Sequence, residues 1–332
     1  MGENAAVRRI SAELVHRLTD LRPGHDLAPV GLGVMARYAL TGGTVVALDE
    51  QLRAVRRRDV DVPGGGKLLA ATPDLSSVVL GARDHLVVHG DRTVEIGIEA
   101  ADAAVFVGGD RLVVTAPVVE RRDHDGRPYE SKGEHLVHLV EARTGTVVDR
   151  AELDVIDAGV FAVPHPHDGS ILLDAGLGQD GSATFVTRVL GDRLAVKPMR
   201  EDVSVSGFDP SGGRLLLTPH PGFGDVATVV DWPALRPLAQ LSGAGLAFDD
   251  GGLDLYGCFL SDDRIVLQAG EYEDYGVLVC SADLTPVAWL DLGHAPGESE
   301  VSSVWGVGPD LIAVEVWADG EATAAVWRVP AS

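Results

Sequence analysis

Hydrophobic and polar positions along this chain alternate in short bursts, and one phrase returns: a turn rich in Gly and Asp, then a run of branched apolar residues. It reads GGDRLVVT at Gly108–Thr115, DGSILLD at Asp168–Asp174 and SGGRLLLT at Ser211–Thr218. DDRIVLQ at Asp262–Gln268 and GPDLIAV at Gly308–Val314 continue it, and PDLSSVVLG at Pro73–Gly81 is a looser copy. Runs this short, bounded by Gly, Pro and Asp, predict β-strands throughout. Residues 7–21 are the exception. There Ile10, Leu14, Val15, Leu18 and Leu21 recur at helical spacing, so the segment reads either as a helix or as a strand lent to another part of the fold.

Copies roughly 35–60 residues apart fall in the range of propeller blades. Dividing the chain by the phrase gives seven units, at about 28–62, 66–98, 102–153, 157–198, 202–241, 251–292 and 300–329. A typical unit reads as four strands; unit five shows VSVSGFDP, RLLLTPH, VATVVDW and LRPLAQL. Unit seven has room for three, so the expectation is an all-β, seven-bladed β-propeller of four-stranded blades, a single domain over 1–332. Residues 1–27 would close the last blade, because an open ring leaves unpaired strand edges.

FDPSGGRLLL at 208–217 looks like the turn and second strand of a propeller blade. Gly293-His294 followed by Trp327-Arg328 is similar to one WD repeat, with Arg in the place of the Asp. On these residues the chain resembles bacterial propellers of the WD-repeat and YVTN type. Three lysines against twenty-four arginines also point to a GC-rich bacterial source.

Composition narrows the setting. Apolar residues at 45% can build a large core, but aromatics at 5% leave packing to Val, Leu, Ala and Ile. No run approaches the ~18 apolar residues of a membrane span. The N-terminus shows no secretory signal, so a cytoplasmic protein is expected. Cys258 and Cys280 fall on the first and third strands of unit six, too far apart to bridge, which fits a reduced compartment. The net charge is −23, and residues 243–332 carry sixteen acids against Arg264 and Arg328. Such a field argues against nucleic acid and anionic membranes and favours a basic partner.

Candidate chemistry gathers in loops. In a four-stranded meander, second-to-third loops and inter-blade connections share one face of the disc. Four long segments fall there: 117–134, 218–225, 270–275 and 293–300. Long polar loops on a rigid scaffold commonly carry binding. The binding candidates are Arg122, His124 and Tyr129 of the first, His220 of the second, Glu271, Tyr272, Glu273, Asp274 and Tyr275 of the third, and His294 and Glu298 of the fourth. The 117–134 insertion, with balanced charge, reads as a mobile lid or docking loop, or else as a disordered insertion with no role. The GEYEDY loop could grip a basic peptide or contribute hard oxygen ligands, and otherwise is a solvated turn.

Catalytic signatures are weak. GxSxG, HExxH, CxxC and GxxxxGK[ST] are all absent, and Gly64–Lys67 is no phosphate loop. His165-Pro166-His167 reads as a turn pair, and His135 and His138 must point to opposite faces of one strand. Arg53, Arg56, Arg57 and Arg58 read as a charged outer strand. The function expected is a non-catalytic binding scaffold for a protein or peptide, a basic one, without a cofactor. The competing reading is a metal-assisted, lactonase-like hydrolase or lyase at the central channel, for which Asp102, Asp157, Asp202, Asp254 and Glu300 stand at unit starts.

Overall fold

The computed structural model describes residues 7–19, 21, 27–31, 33–124, 127–246, 251–271, 274–293, 300–318 and 321–331. Two short strands come first, β1 (Arg8–Ser11) and β2 (Glu13–Arg17). Seven antiparallel blades follow in a ring. Blade one holds β3 (Leu27–Gly31), β4 (Val34–Thr41), β5 (Thr44–Leu48) and β6 (Ala54–Asp59); blade two holds β7 (Lys67–Ala71), β8 (Val78–Gly81), β9 (Leu86–His89) and β10 (Thr93–Ile96). Blade three is β11 (Ala103–Val107), β12 (Arg111–His124), β13 (Arg127–Glu141) and β14 (Thr146–Ile156); blade four is β15 (Gly159–Pro164), β16 (Ile171–Gly176), β17 (Ser182–Leu190) and β18 (Arg193–Glu201). Blade five is β19 (Val203–Phe208), β20 (Arg214–Pro219), β21 (Val226–Asp231) and β22 (Pro237–Ser242); blade six is β23 (Gly251–Phe259), β24 (Arg264–Glu271), β25 (Asp274–Ser281) and β26 (Pro286–Asp291). Blade seven supplies β27 (Glu300–Gly308), β28 (Leu311–Ala318) and β29 (Glu321–Arg328).

The recurring phrase is the second strand of a blade, and its apolar run is buried on both sides. Leu215 and Leu217 pack towards blade four, while Leu216 between them packs towards blade six. Ile171 and Leu173 face blade three, and Leu172 faces blade five. Strand side chains alternate, so a strand sandwiched between two neighbours needs apolar residues at every position. Each of the seven blade-to-blade interfaces accordingly has its own apolar cluster.

The polar residue that closes the phrase stitches the ring. Asp174 Oδ2 accepts from Val205 N at 2.8 Å, Thr218 Oγ1 donates to the Leu255 carbonyl at 2.6 Å, and Gln268 Nε2 donates to the Val301 carbonyl at 2.6 Å. Each bond crosses from one blade to the innermost strand of the next.

Residues 8–17 are strands, not a helix. β2 pairs antiparallel with β29 and completes blade seven; β1 pairs parallel with β26 and adds a fifth strand to blade six. The helical spacing of the apolar residues arises because they serve two interfaces. Ile10 and Ala12 pack between blades six and seven, while Val15, Leu18 and Leu21 pack between blades seven and one. The open edge of β29 decides the matter, since its backbone groups gain partners only from an extended segment.

Innermost strand β3 opens blade one. It contacts β15 and β19 and so occupies part of the axis. Gly33 follows it, where any Cβ would collide with the carbonyl oxygens of Gly257 and Ser206. Only glycine fits that approach.

Candidate functional site

The segment 117–134 is a β-ribbon. β12 and β13 pair in register from Arg111↔Glu141 out to His124↔Arg127, with one irregularity between Pro117 and Val119. Their neighbours stop short: β11 pairs no further than Thr115, and β14 no further than Glu134. Residues 119–124 and 127–132 therefore stand beyond the blade as two strands alone. Charged residues fill both faces of this stretch, which is why no apolar alternation marked it as strand.

A lone two-stranded ribbon is marginal, and ion pairs brace this one against blade two. Arg83 meets Glu130 at 2.7 Å, and Arg121 meets Glu99 at 2.9 Å and Glu130 at 3.4 Å. The Arg83 hydrogen bond holds the Glu130 carboxyl below its ordinary range. Single exposed pairs are worth little, and their value here lies in sharing Glu130.

A pocket of about 350 Å³ opens at the ribbon's root, lined by Val118, Glu120, Arg122, Lys132, Gly133, Glu134 and Ile156. Ile156 is 67% exposed and Val118 41%, both beside charged groups. Arg122 faces Tyr129 in the ladder and ion-pairs with Glu120. Tyr129 is 45% exposed.

Of the other sequence candidates, those described lie on the same face but on other blades. His220 leads into the blade-five loop, its Nδ1 3.2 Å from the Pro221 carbonyl and its ring edge-to-face with exposed Phe223. Glu271 ends β24 and Asp274 begins β25, and the two are paired in register; Tyr275 is half-buried opposite Gly270. Tyr272, Glu273, His294, Glu298 and the side chains of His124, Glu271 and Asp274 lie outside the described residues.

Beneath the ribbon is a second feature, which sequence reasoning reached only in fragments. A cavity of about 1470 Å³ lies along the axis, walled by β7, β11 and β15 and bounded by blades one and five. At its rim, on the ribbon side, Lys67 opens β7 and Asp102 precedes β11. His135 Nε2 sits 2.6 Å from Asp102 Oδ2; Lys132 Nζ donates to Asp102 Oδ1 at 3.4 Å and to the Ala158 carbonyl at 3.1 Å. Burial pushes the Asp102 carboxyl up, but the His135 hydrogen bond and the lysine charges outweigh it and leave it below the ordinary range.

Lys67 differs from Lys132. Its one hydrogen bond among the described residues is a long 3.5 Å contact to the Asp102 backbone carbonyl. Solvent in the cavity reaches it, yet protein surrounds it, and that burial lowers its pKa further than Asp102 raises it. Two of the chain's three lysines thus converge on one aspartate. That scarcity was the signal available in the sequence.

The remaining unit-start acids do not join them. Asp157 and Asp202 sit in left-handed turns, and Asp254, raised by burial, accepts from Leu255 N at 2.7 Å. Among the described residues no three His, Cys, Asp or Glu side chains converge to hold a metal ion. His165 is structural: Nδ1 accepts from the backbone of His167 and Asp168, Nε2 is 2.9 Å from the Gly212 carbonyl, and the ring stacks on Trp232. Cys258 and Cys280 are buried free thiols, each pushed up to about 12 by burial.

No family model matches the chain, and no curated protein matches it. Solved structures do. A chain of a mitotic checkpoint complex superposes with a TM-score of 0.55 at 10% identity, covering 100% of this chain and 96% of that one. A prolyl endopeptidase aligns with a TM-score of 0.52 at 14% identity over 90% of this chain, which spans 47% of that enzyme. The propeller domain of the Trilobed protease from Pyrococcus furiosus, at 12% identity and a TM-score of 0.48, covers 89% and 95%. At such identities the likeness is one of fold. Among the described residues no helix is long and apolar enough to cross a membrane.

Proposed function

We propose that this protein is a binding propeller, of WD-repeat-like type and cytoplasmic, that engages a basic peptide or protein segment on the face carrying the β12–β13 ribbon. The observation that carries this reading is the ribbon itself, a preformed two-stranded arm pinned to blade two, with a pocket at its root that sets Val118 and Ile156 among charged side chains. A preordered arm loses little entropy on binding, and the pocket's Val118 and Ile156 suit the stem, and its Glu134 the charge, of one basic side chain of the partner. The overall charge of −23 supports a basic partner by speeding its encounter. His220, the Glu271–Asp274 hairpin with Tyr275, and the 293–300 connection would extend the contact across blades five to seven. Metal-assisted hydrolysis at the axis gains no support from the unit-start acids, since Asp102 is already engaged by His135 and Lys132.

A peptide array with matched basic, neutral and acidic sets tests the proposal. Wild type should retain basic peptides, and the Arg122→Ala/Tyr129→Ala double variant should lose them while its unfolding midpoint stays unchanged. Retention independent of peptide charge, or of the double substitution, refutes it.

A further inference from the structure

We propose that the axial cavity is a binding site for an amphiphilic monocarboxylate, its carboxylate at Lys67 and its apolar body between β7, β11 and β15. The cavity is distinct from the ribbon-root pocket, and the proposal does not depend on a peptide partner.

Three observations meet here. The walls are apolar: Leu69 and Ala70 of β7, Ala103 and Val105 of β11, and Phe161 and Val163 of β15. At about 1470 Å³ the space exceeds what a side chain or a few waters would fill. Its rim on the ribbon side includes the exposed turn glycines Gly42 and Gly65, whose missing side chains leave that edge uncovered.

The second observation is an unmatched cation. In a chain with fifty acids, the Lys67 ammonium makes no direct ion pair with a carboxylate among the described residues, and the Asp102 charge that attracts it is shared with Lys132 and His135. The other charged groups on the wall are matched: Asp209 bonds Arg214 at 3.0 Å, and Arg37 lies 4.0 Å from Glu50. A half-enclosed ammonium with unused donors is a site for one anionic oxygen group.

The third is charge count. With Asp102 matched by Lys132, Lys67 leaves one net positive charge at the rim, so a monoanion is neutralised there and a phosphomonoester dianion would carry a second charge without a partner. An extended peptide is disfavoured as well, since apolar walls would leave its amides without partners.

The test uses 11-(dansylamino)undecanoic acid, whose fluorescence reports transfer into an apolar site, displaced by decanoate, 1-decanol or decyl phosphate. Wild type should bind the probe, and decanoate should displace it at least tenfold better than decanol or decyl phosphate. Lys67→Met should weaken decanoate by roughly tenfold or more and leave decanol unchanged, while Lys67→Arg should keep most of the preference. Ala103→Phe, which puts a ring into the cavity, should exclude the probe without moving the unfolding midpoint. Absence of probe binding to wild type overturns the site. Equal displacement by decanoate and decanol, or wild-type affinity in Lys67→Met, overturns the role of Lys67, and tighter binding of decyl phosphate overturns the carboxylate assignment.

Discussion

Asp174 should make the stability of this protein fall as the pH rises towards neutrality. Its side chain is 2% exposed on the second strand of blade four, between the apolar clusters shared with blades three and five. Burial pushes its carboxyl from 3.8 up to about 7, only partly countered by the hydrogen bond from Val205 N. A carboxyl that holds its proton more tightly when folded leaves stability intact below pH 3.8. That stability is lost as the pH climbs to about 7, because the unfolded chain ionises first. At about 1.36 kcal/mol per pH unit the full loss is about 4 kcal/mol. Asp174→Asn keeps an oxygen for Val205 N and cannot ionise. Equilibrium urea unfolding of both proteins at pH 5, 6, 7 and 8, followed by tryptophan fluorescence, isolates this group because the other titrations cancel. The variant's advantage should widen by about 1.4 kcal/mol per unit from pH 5 towards pH 7, then level off. A gap that is constant with pH refutes the reasoning.

Three further outcomes follow from other buried polar groups. His138, buried on β13, has its pKa lowered to about 4 by burial first and Arg150 second. Its contribution is present above pH 6.5 and lost as the pH falls towards 4, so His138→Phe should flatten the acid side of the unfolding midpoint profile. Gln268→Leu orphans the Val301 carbonyl and should cost about 1–3 kcal/mol in urea unfolding. Thr115→Val at the matching phrase position should be close to neutral, because the Thr115 hydroxyl has no hydrogen-bond partner among the described residues.

What the sequence determined by itself was the repeating unit. A strand packed on both sides must be apolar at successive positions, so Leu215–Leu217 and Ile265–Leu267 announce blades without any tertiary information. The count of strands in unit seven likewise implied a borrowed strand, since an exposed edge is unfavourable whatever the sequence. Spacing could not say that residues 8–17 serve two blades, because the edges that recruit them are made by residues about 280 and 315 positions away. The ribbon was illegible for the opposite reason, its two faces both being solvated. The meeting of Lys67, Asp102, Lys132 and His135 was decided by tertiary structure alone. Lys67 comes from blade two and the others from blade three, brought together by the ring. Asp102 was identified as an acid at a unit start, but only packing revealed that its charge was already matched and that of Lys67 was not.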